Sequence, residues 1–277
     1  MSVVAASRSE TTKVFTTSSW WILAIVLALY VGSLAGGMAW LFGALATGQL
    51  TGETAGAPPI EASTLPLTMF SIASSVGYVF PLLVGTLMVT NEFRHQTLTP
   101  TFLATPKRGI ALTGKLVAAV IVGLLYAVVA LVAVVGPASG ILASFGIATQ
   151  LDLGDTWLFL ARALLALVLW TIVGVGVGAL VRNQVAAIVI VLAFTQFVEP
   201  ILRVAGGFLD WVNDITRFLP GAASDALVGR SFYTSLGGPA AADSGALEWW
   251  QGGLVLLAFA IVFTLLGQLF SWRRDVT

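Results

Sequence analysis

Residues 20–45 read WWILAIVLALYVGSLAGGMAWLFGAL, without one charged side chain. A secretory leader has an apolar core of roughly 7–15 residues, whereas a helix needs roughly 20 to cross the hydrocarbon layer. Lys13 stands just ahead of the run, as the basic region of a leader would, but the run is too long for a leader core. Its length predicts a retained membrane helix. A helix is required because lipid offers no partner to an unpaired backbone amide or carbonyl. Five further stretches have the same character: Leu67–Thr90, Ala111–Val135, Trp157–Val181, Val185–Ala205 and Gln251–Trp272. The expected fold is an all-α integral membrane protein with six transmembrane helices. Residues 1–19 are expected to form an amphipathic helix on the cytoplasmic side, and residues 20–277 the membrane domain.

Composition agrees. Hydrophobic residues make up 58% of the chain, charged residues only 9%, and mean hydropathy is +0.97. Soluble domains carry about a quarter charged residues, because water must be met by polar groups. The 13 basic and 13 acidic residues cancel, so no nucleic-acid partner is expected. With no cysteine, disulfides, thiolate metal sites and cysteine nucleophiles are excluded.

Charge position sets the expected orientation. With the N-terminus inside, Arg8, Lys13, Arg94, Lys107, Arg108, Lys115, Arg182, Arg273 and Arg274 share the inner side, and Arg162, Arg203, Arg217 and Arg230 the outer. Basic residues favour the cytoplasmic side, which predicts a multi-pass protein of a bacterial cell membrane with both termini in the cytoplasm. Trp20, Trp21, Trp157, Trp249, Trp250 and Trp272 mark the borders, where indole meets both lipid and headgroup.

Between spans, Thr47–Pro66 reads as an external loop and Arg182-Asn183-Gln184 as a tight inner turn, while Gly136-Pro137 is expected to end the third span. The longest connection is Gly206–Trp250. Within it Phe208, Trp211, Val212, Ile215, Phe218 and Leu219 recur at helical spacing, opposite Asp210, Asn213, Asp214 and Arg217. This predicts an amphipathic helix at the outer surface, packed on the bundle or dipped into the interface, and stopped by Pro220-Gly221.

The inner connection after the second span carries the functional signal. It reads Thr90-Asn91-Glu92-Phe93-Arg94-His95-Gln96-Thr97-Leu98, then Thr105-Pro106-Lys107-Arg108-Gly109. Asn91 is a candidate cap, Phe93, Thr97 and Leu98 share a face above Phe102, and Pro106 is a stop, predicting a short, charged, exposed interfacial helix. Ahead of the first span, Ser7 and Glu10 have capping-box spacing, and Val14 and Phe15 form an apolar patch beside Arg8 and Lys13. Such a segment also suits a lipid-headgroup anchor.

Together these features resemble the type-2 ABC transporter permease family over most of the chain. The most specific part is Glu92-x-Arg94, Thr97-Leu98, Pro106 and Arg108, with Lys115 opening the next span. The resemblance implies an ABCG-like exporter fold, paired in the membrane with a second copy or a related permease. Each half would dock a separate cytoplasmic ABC ATPase, which holds the ATP and magnesium; this chain would bind no cofactor and catalyse nothing. It implies ATPase-coupling roles for Glu92, Phe93, Arg94, His95, Thr97, Leu98, Pro106 and Arg108. Arg8, Glu10 and Lys13 would lie at the N-terminal ATPase and membrane interface, and Gly206–Trp250 near the exit gate.

Other motifs are weaker. Gly109–Lys115 fits G-x-x-x-x-G-K, but Leu116 replaces the magnesium-binding hydroxyl, so no phosphate site is expected. Gly174, Gly176 and Gly178, and Gly32 with Gly36, suit close helix packing. Glu199 and Arg203 stand at i,i+4 around Pro200 and suggest either a turn near an outer gate or an interfacial ion pair. Arg162 is expected to snorkel. His95, the sole histidine, has no clustered ligands for a metal, and neither Ser139-Gly140 nor Gly154-Asp155 has the surroundings of a membrane protease. Phe80, Pro81, Phe194, Gln196 and Phe197 are candidate lining for a hydrophobic or amphipathic substrate such as a drug, lipid or peptide. A secondary transporter and a non-transporting membrane scaffold or sensor are the competing readings.

Overall fold

The first apolar run forms α2 (Ser19–Ala46), whose small residues Ala24, Ala35 and Ala39 turn inward with Leu27 and Val31, while Trp21, Ile22, Ile25, Val26 and Leu29 face outward. This inverts the soluble pattern, as expected where the surrounding solvent is hydrocarbon and close helix approach selects small side chains. The structure is a computed structural model that describes residues 2–50, 61–97, 108–181, 183–206, 209–233 and 247–269. Among these residues every regular element is helical, and six helices are long and apolar enough to span a membrane.

Ahead of α2 lies α1 (Val3–Phe15). Its cap is Ser2, whose side chain accepts the Ala5 N–H at 3.3 Å. The capping box expected from Ser7 to Glu10 does not form. The helix has already begun by Ser7, whose hydroxyl donates to the Val4 carbonyl.

The second span is broken. After a 3-10 turn at Ala62–Thr64 come α3 (Leu65–Phe70), α4 (Ile72–Ser75) and α5 (Val79–Arg94). Serine hydroxyls satisfy backbone at the break: Ser71 Oγ donates to Thr68 O and Ser74 Oγ to Ser71 O. Such serine bonds let a membrane helix interrupt its ladder. At the other end α5 continues through Asn91 to Arg94, so Asn91 caps nothing and Glu92, Phe93 and Arg94 are the last turn of the span itself. The chain turns at His95, with Gln96 left-handed at φ 54°. The expected interfacial helix therefore does not start at Asn91; its remainder, 98–107 with Leu98 and Pro106, lies outside the described residues.

The third span, α6 (Arg108–Ser144), runs through Pro137 rather than ending at Gly136-Pro137. Proline removes the donor that would serve the Ala133 carbonyl one turn back. That carbonyl faces Gly32 of α2, where an added β-carbon would stand 3.0 Å from it. Close packing of α2 on α6 thus covers the defect and keeps the helix continuous.

The fourth span, α7 (Gly154–Leu180), is the hub. Its apolar window is 72% buried, against 22% for the fifth span. Glycines explain how it serves two neighbours: Gly178 meets the Thr86 carbonyl of α5, while Gly176 meets Phe263 on the sixth span, a β-carbon at either lying below 3 Å from the facing atoms. The fifth span is α8 (Gln184–Ala193), a π turn at Phe194–Val198 and α9 (Glu199–Gly206). Pro200 does not break it; the wider turn absorbs the missing N–H.

Two short helices follow. In α10 (Asp210–Thr216) Trp211 and Ile215 are exposed while Val212 is buried, so the segment is amphipathic as expected, though shorter. Pro220 ends that stretch by opening α11 (Pro220–Val228), where it occupies a first-turn position. α11 sinks into the bundle: Ser224 accepts a 3.1 Å bond from Trp170, past the midpoint of α7. The sixth span is α12 (Trp249–Gly267). Arg162 does not merely reach toward headgroups; its guanidinium lies 4.6 Å from the ring centre of Trp249.

Candidate functional site

Two polar clusters interrupt the apolar bundle. The first lies at the end carrying α1. Ala6 and Glu10 form the buried face of α1, and Gly114 of α6 admits it, since a β-carbon there would stand 2.9 Å from that of Ala6. Glu10 thereby reaches Lys115, which is fully buried. Lys115 Nζ bonds Glu10 Oε2, stands 3.0 Å from Glu92 Oε2 off the line of a hydrogen bond, and donates to Met88 O at 3.2 Å. Lys13 Nζ closes the circuit, 2.5 Å from Glu10 Oε1 and 2.7 Å from Glu92 Oε1. Two lysines and two glutamates thus alternate around a neutral ring joining α1, α5 and α6.

The ring moves the titration of Glu10 and Lys13. Burial pulls Glu10 upward, but Lys115, then Lys13, more than offset it and hold Glu10 below its usual 4.5. Burial pulls Lys13 down, yet its bonds to Glu10 and Glu92 raise it above its usual 10.5. Removing one partner from such a buried set of ion pairs typically costs about 3–5 kcal/mol.

The anticipated coupling residues divide on this geometry. Glu92 is buried in the ring rather than exposed. Phe93 packs on the core. Arg94, His95 and Thr97 are exposed where the helix ends, with Arg94 Nη1 3.4 Å from Gln184 Oε1 on α8. Arg108 opens α6, but its side chain lies outside the described residues. Of the N-terminal trio, Arg8 is exposed, whereas Glu10 and Lys13 are ring members. Lys115, the last residue of the G-x-x-x-x-G-K match, is the ring's most buried member. Gly114 beside it serves helix packing.

The second cluster gathers where α11 meets the break in the second span and the π-turn region of the fifth. Asp225 of α11 accepts from Ser75 Oγ at 2.8 Å and from Arg203 Nη2 at 2.5 Å. Ser75 Oγ, freed by the break in its helix, also receives the Phe232 N–H at 3.3 Å. Tyr78 stacks on Trp170 at 4.4 Å and donates to the Thr195 carbonyl at 3.4 Å, in the π turn. Arg203 lies 5.7 Å from the ring centre of Tyr233, whose own hydroxyl burial and then Asp225 push upward in pKa.

Glu199 and Arg203 do not pair with each other; Asp225, distant in sequence, takes the arginine. Nor is Glu199 interfacial. It is 1% exposed, and its Oε1 accepts the Ala222 N–H at 3.0 Å in the first turn of α11. Gly221 leaves the room, because a β-carbon there would stand 2.7 Å from the Glu199 carboxyl carbon. Its second oxygen, Oε2, is buried without a hydrogen-bond partner.

The proposed substrate lining does not come together within one copy. Pro81 is buried in the bundle, Phe80 packs 6.0 Å from Tyr30, Phe194 is half-buried, and Gln196 and Phe197 face outward. Ser75, Tyr78, Trp170, Ser224 and Asp225 were missed. The available signal was the serine run Ser71–Ser75 inside an apolar span, followed by Gly77. No family model matches this chain, and no curated protein matches it.

Proposed function

We propose that this chain is the membrane-spanning subunit of an ATP-driven exporter of the type-2 ABC permease kind. It works with a second copy or a related permease, in a bacterial cell membrane, with both termini in the cytoplasm. A separate cytoplasmic ATPase binds ATP and magnesium and drives it. The observation that carries this reading is the buried Glu10–Lys13–Glu92–Lys115 ring. It makes α1, the inner end of span two and the inner end of span three one body. A force applied at the surface beside Arg94 and His95 then moves two spans together, as an ATP-driven membrane subunit requires. The broken second span supplies a discontinuous helix of the kind transporters use around a path, and the fifth adds a π turn. The outward-facing Gln196 and Phe197 suit a path completed by a second copy, for a hydrophobic or amphipathic substrate.

A secondary transporter is the second reading, favoured by the buried charges Glu199, Arg203 and Asp225. Affinity purification from mild detergent, with mass spectrometry of what copurifies, separates the two. The expected result is a soluble ATPase in equal amount, lost when residues 91–108 are replaced by a Gly/Ser linker in a correctly inserted variant. A chain that repeatedly purifies without any ATPase, even after crosslinking in membranes, overturns the exporter reading.

A further inference from the structure

The charge count of the α11 cluster does not close. Glu199 and Asp225 bring two carboxylates, and Arg203, bonded to Asp225, brings one cation. Among the described residues, the neighbouring elements bring no second cation to these carboxylates. The start of α5 offers Tyr78, and the segment after α11 offers Tyr233, both neutral hydroxyls. On α10, Asp214 and Arg217 pair with each other at 3.4 Å, and the Asp210 side chain lies outside the described residues. Arg230 stands beyond the far end of α11, after Gly229, while Glu199 sits at its start. Arg162 of α7 is engaged over Trp249. The apolar helix α12 contributes no charged side chain.

Fully ionised, the trio would carry a net negative charge inside the membrane bundle. Glu199 is 1% exposed, so water cannot screen it. Its Oε1 is engaged by the α11 N-terminus, which favours a negative charge, but Oε2 faces no donor. An uncompensated buried charge costs far more than one unsatisfied hydroxyl, so the balance favours the neutral acid. A metal cation is the wrong guest, because it needs several oxygens and Glu199 offers one.

We infer that the Glu199 carboxyl is a proton-binding site, carrying its proton on Oε2 while α11 is seated against the fifth span. Occupied, the cluster is neutral and α11 stays seated. Once the proton leaves, the carboxylate gains stability by hydration, and α11, joined to it through Ala222, must lift to admit water. The site therefore links the seating of α11 to the pH of the compartment α11 faces. None of this rests on the exporter reading; it follows from the chain's own charge balance.

The test is infrared spectroscopy of the full chain in lipid nanodiscs across pH, with and without carbon-13 glutamate. Six glutamates are present, and Glu10 and Glu92 are both paired with lysines. The expected result is a protonated-carboxyl band at neutral pH that shifts with the glutamate label and is absent from Glu199→Gln. No label-sensitive protonated band at neutral pH overturns the inference, as does a band that persists in folded Glu199→Gln. Should that variant not fold, the labelled native chain decides alone, since the remaining glutamates, Glu53, Glu61 and Glu248, stand outside the apolar spans in the sequence. A purified chain that binds no ATPase would leave this result untouched.

Discussion

The two polar clusters are built from the same kinds of side chain and are opposite in balance. The ring at the α1 end has two cations for two carboxylates, and each carboxylate faces both lysines. The α11 cluster has one cation for two carboxylates, and the spare oxygen of Glu199 is buried without a hydrogen-bond partner. A closed neutral ring fixes helices to one another, because any displacement separates several charge pairs at once. An open, unbalanced cluster can change state with a single proton. The first is suited to transmitting force, the second to responding to conditions.

Breaking the ring should have the largest effect on stability. Lys115→Met leaves Glu10 and Glu92 facing only Lys13, and should lower stability by about 3–5 kcal/mol. Thermal unfolding in detergent measures it. Adding Glu10→Gln and Glu92→Gln, with Lys13→Gln, removes every unbalanced charge and should restore much of the loss. If the single variant melts like the native chain, the ring is not what holds α1.

At the other cluster, Gly221→Ala should cost about 1–3 kcal/mol, the usual penalty of overpacking, since the new methyl would stand 2.7 Å from the Glu199 carboxyl carbon. Combined with Glu199→Ala the clash disappears, so the two losses should be far from additive. Additive losses would mean that Gly221 is needed for its backbone alone.

Titration compares the two regions without mutation. Glu10 is held below 4.5, so its contribution is present above that value and fades as pH falls through the lower folded value. Lys13 is held above 10.5, so its contribution is complete below that value and fades as pH rises through the higher folded value. The Glu10 and Lys13 contributions should therefore both be present from about pH 4.5 to 10.5. A single-cysteine probe on α1, in a chain with no native cysteine, should gain reactivity only outside that window. A probe on α11 that gains reactivity within the window would place the pH response at Glu199 rather than in the ring.

How far the chain could be read in advance follows from what each feature depends on. The six spans rest on runs of apolar residues, which lipid reads directly, and they stand close to where composition puts them. The glycines Gly174, Gly176 and Gly178 were legible as packing residues because little else explains them in an apolar helix. Pro137 was misread as a stop, since the glycine that shelters its orphaned carbonyl lies on another helix. Arg203 looked like the partner of Glu199 four residues away, but Asp225 arrives on α11 and takes it. Lys115 was legible only as the basic residue opening the third span, because its partners are 105 and 23 residues distant in sequence. Local spacing gives the helices; which charge meets which is decided by how they pack.

The smallest expected change in stability is the most informative about function. Arg94 is exposed, and its one described contact is a long 3.4 Å bond to Gln184. Arg94→Ala should therefore shift stability by no more than about 0.5 kcal/mol. Yet Arg94 follows Glu92 by two residues on the last turn of α5, so any load applied there passes straight into the ring. In the exporter reading this variant inserts and melts normally but loses substrate-stimulated ATP hydrolysis by the partner. Lys115→Met loses both, because it destroys the body that carries the load. An Arg94→Ala chain with full stimulation would move the point of attachment elsewhere on the surface. A loss confined to Arg94→Ala, with stability intact, would separate receiving the force from holding the helices that carry it.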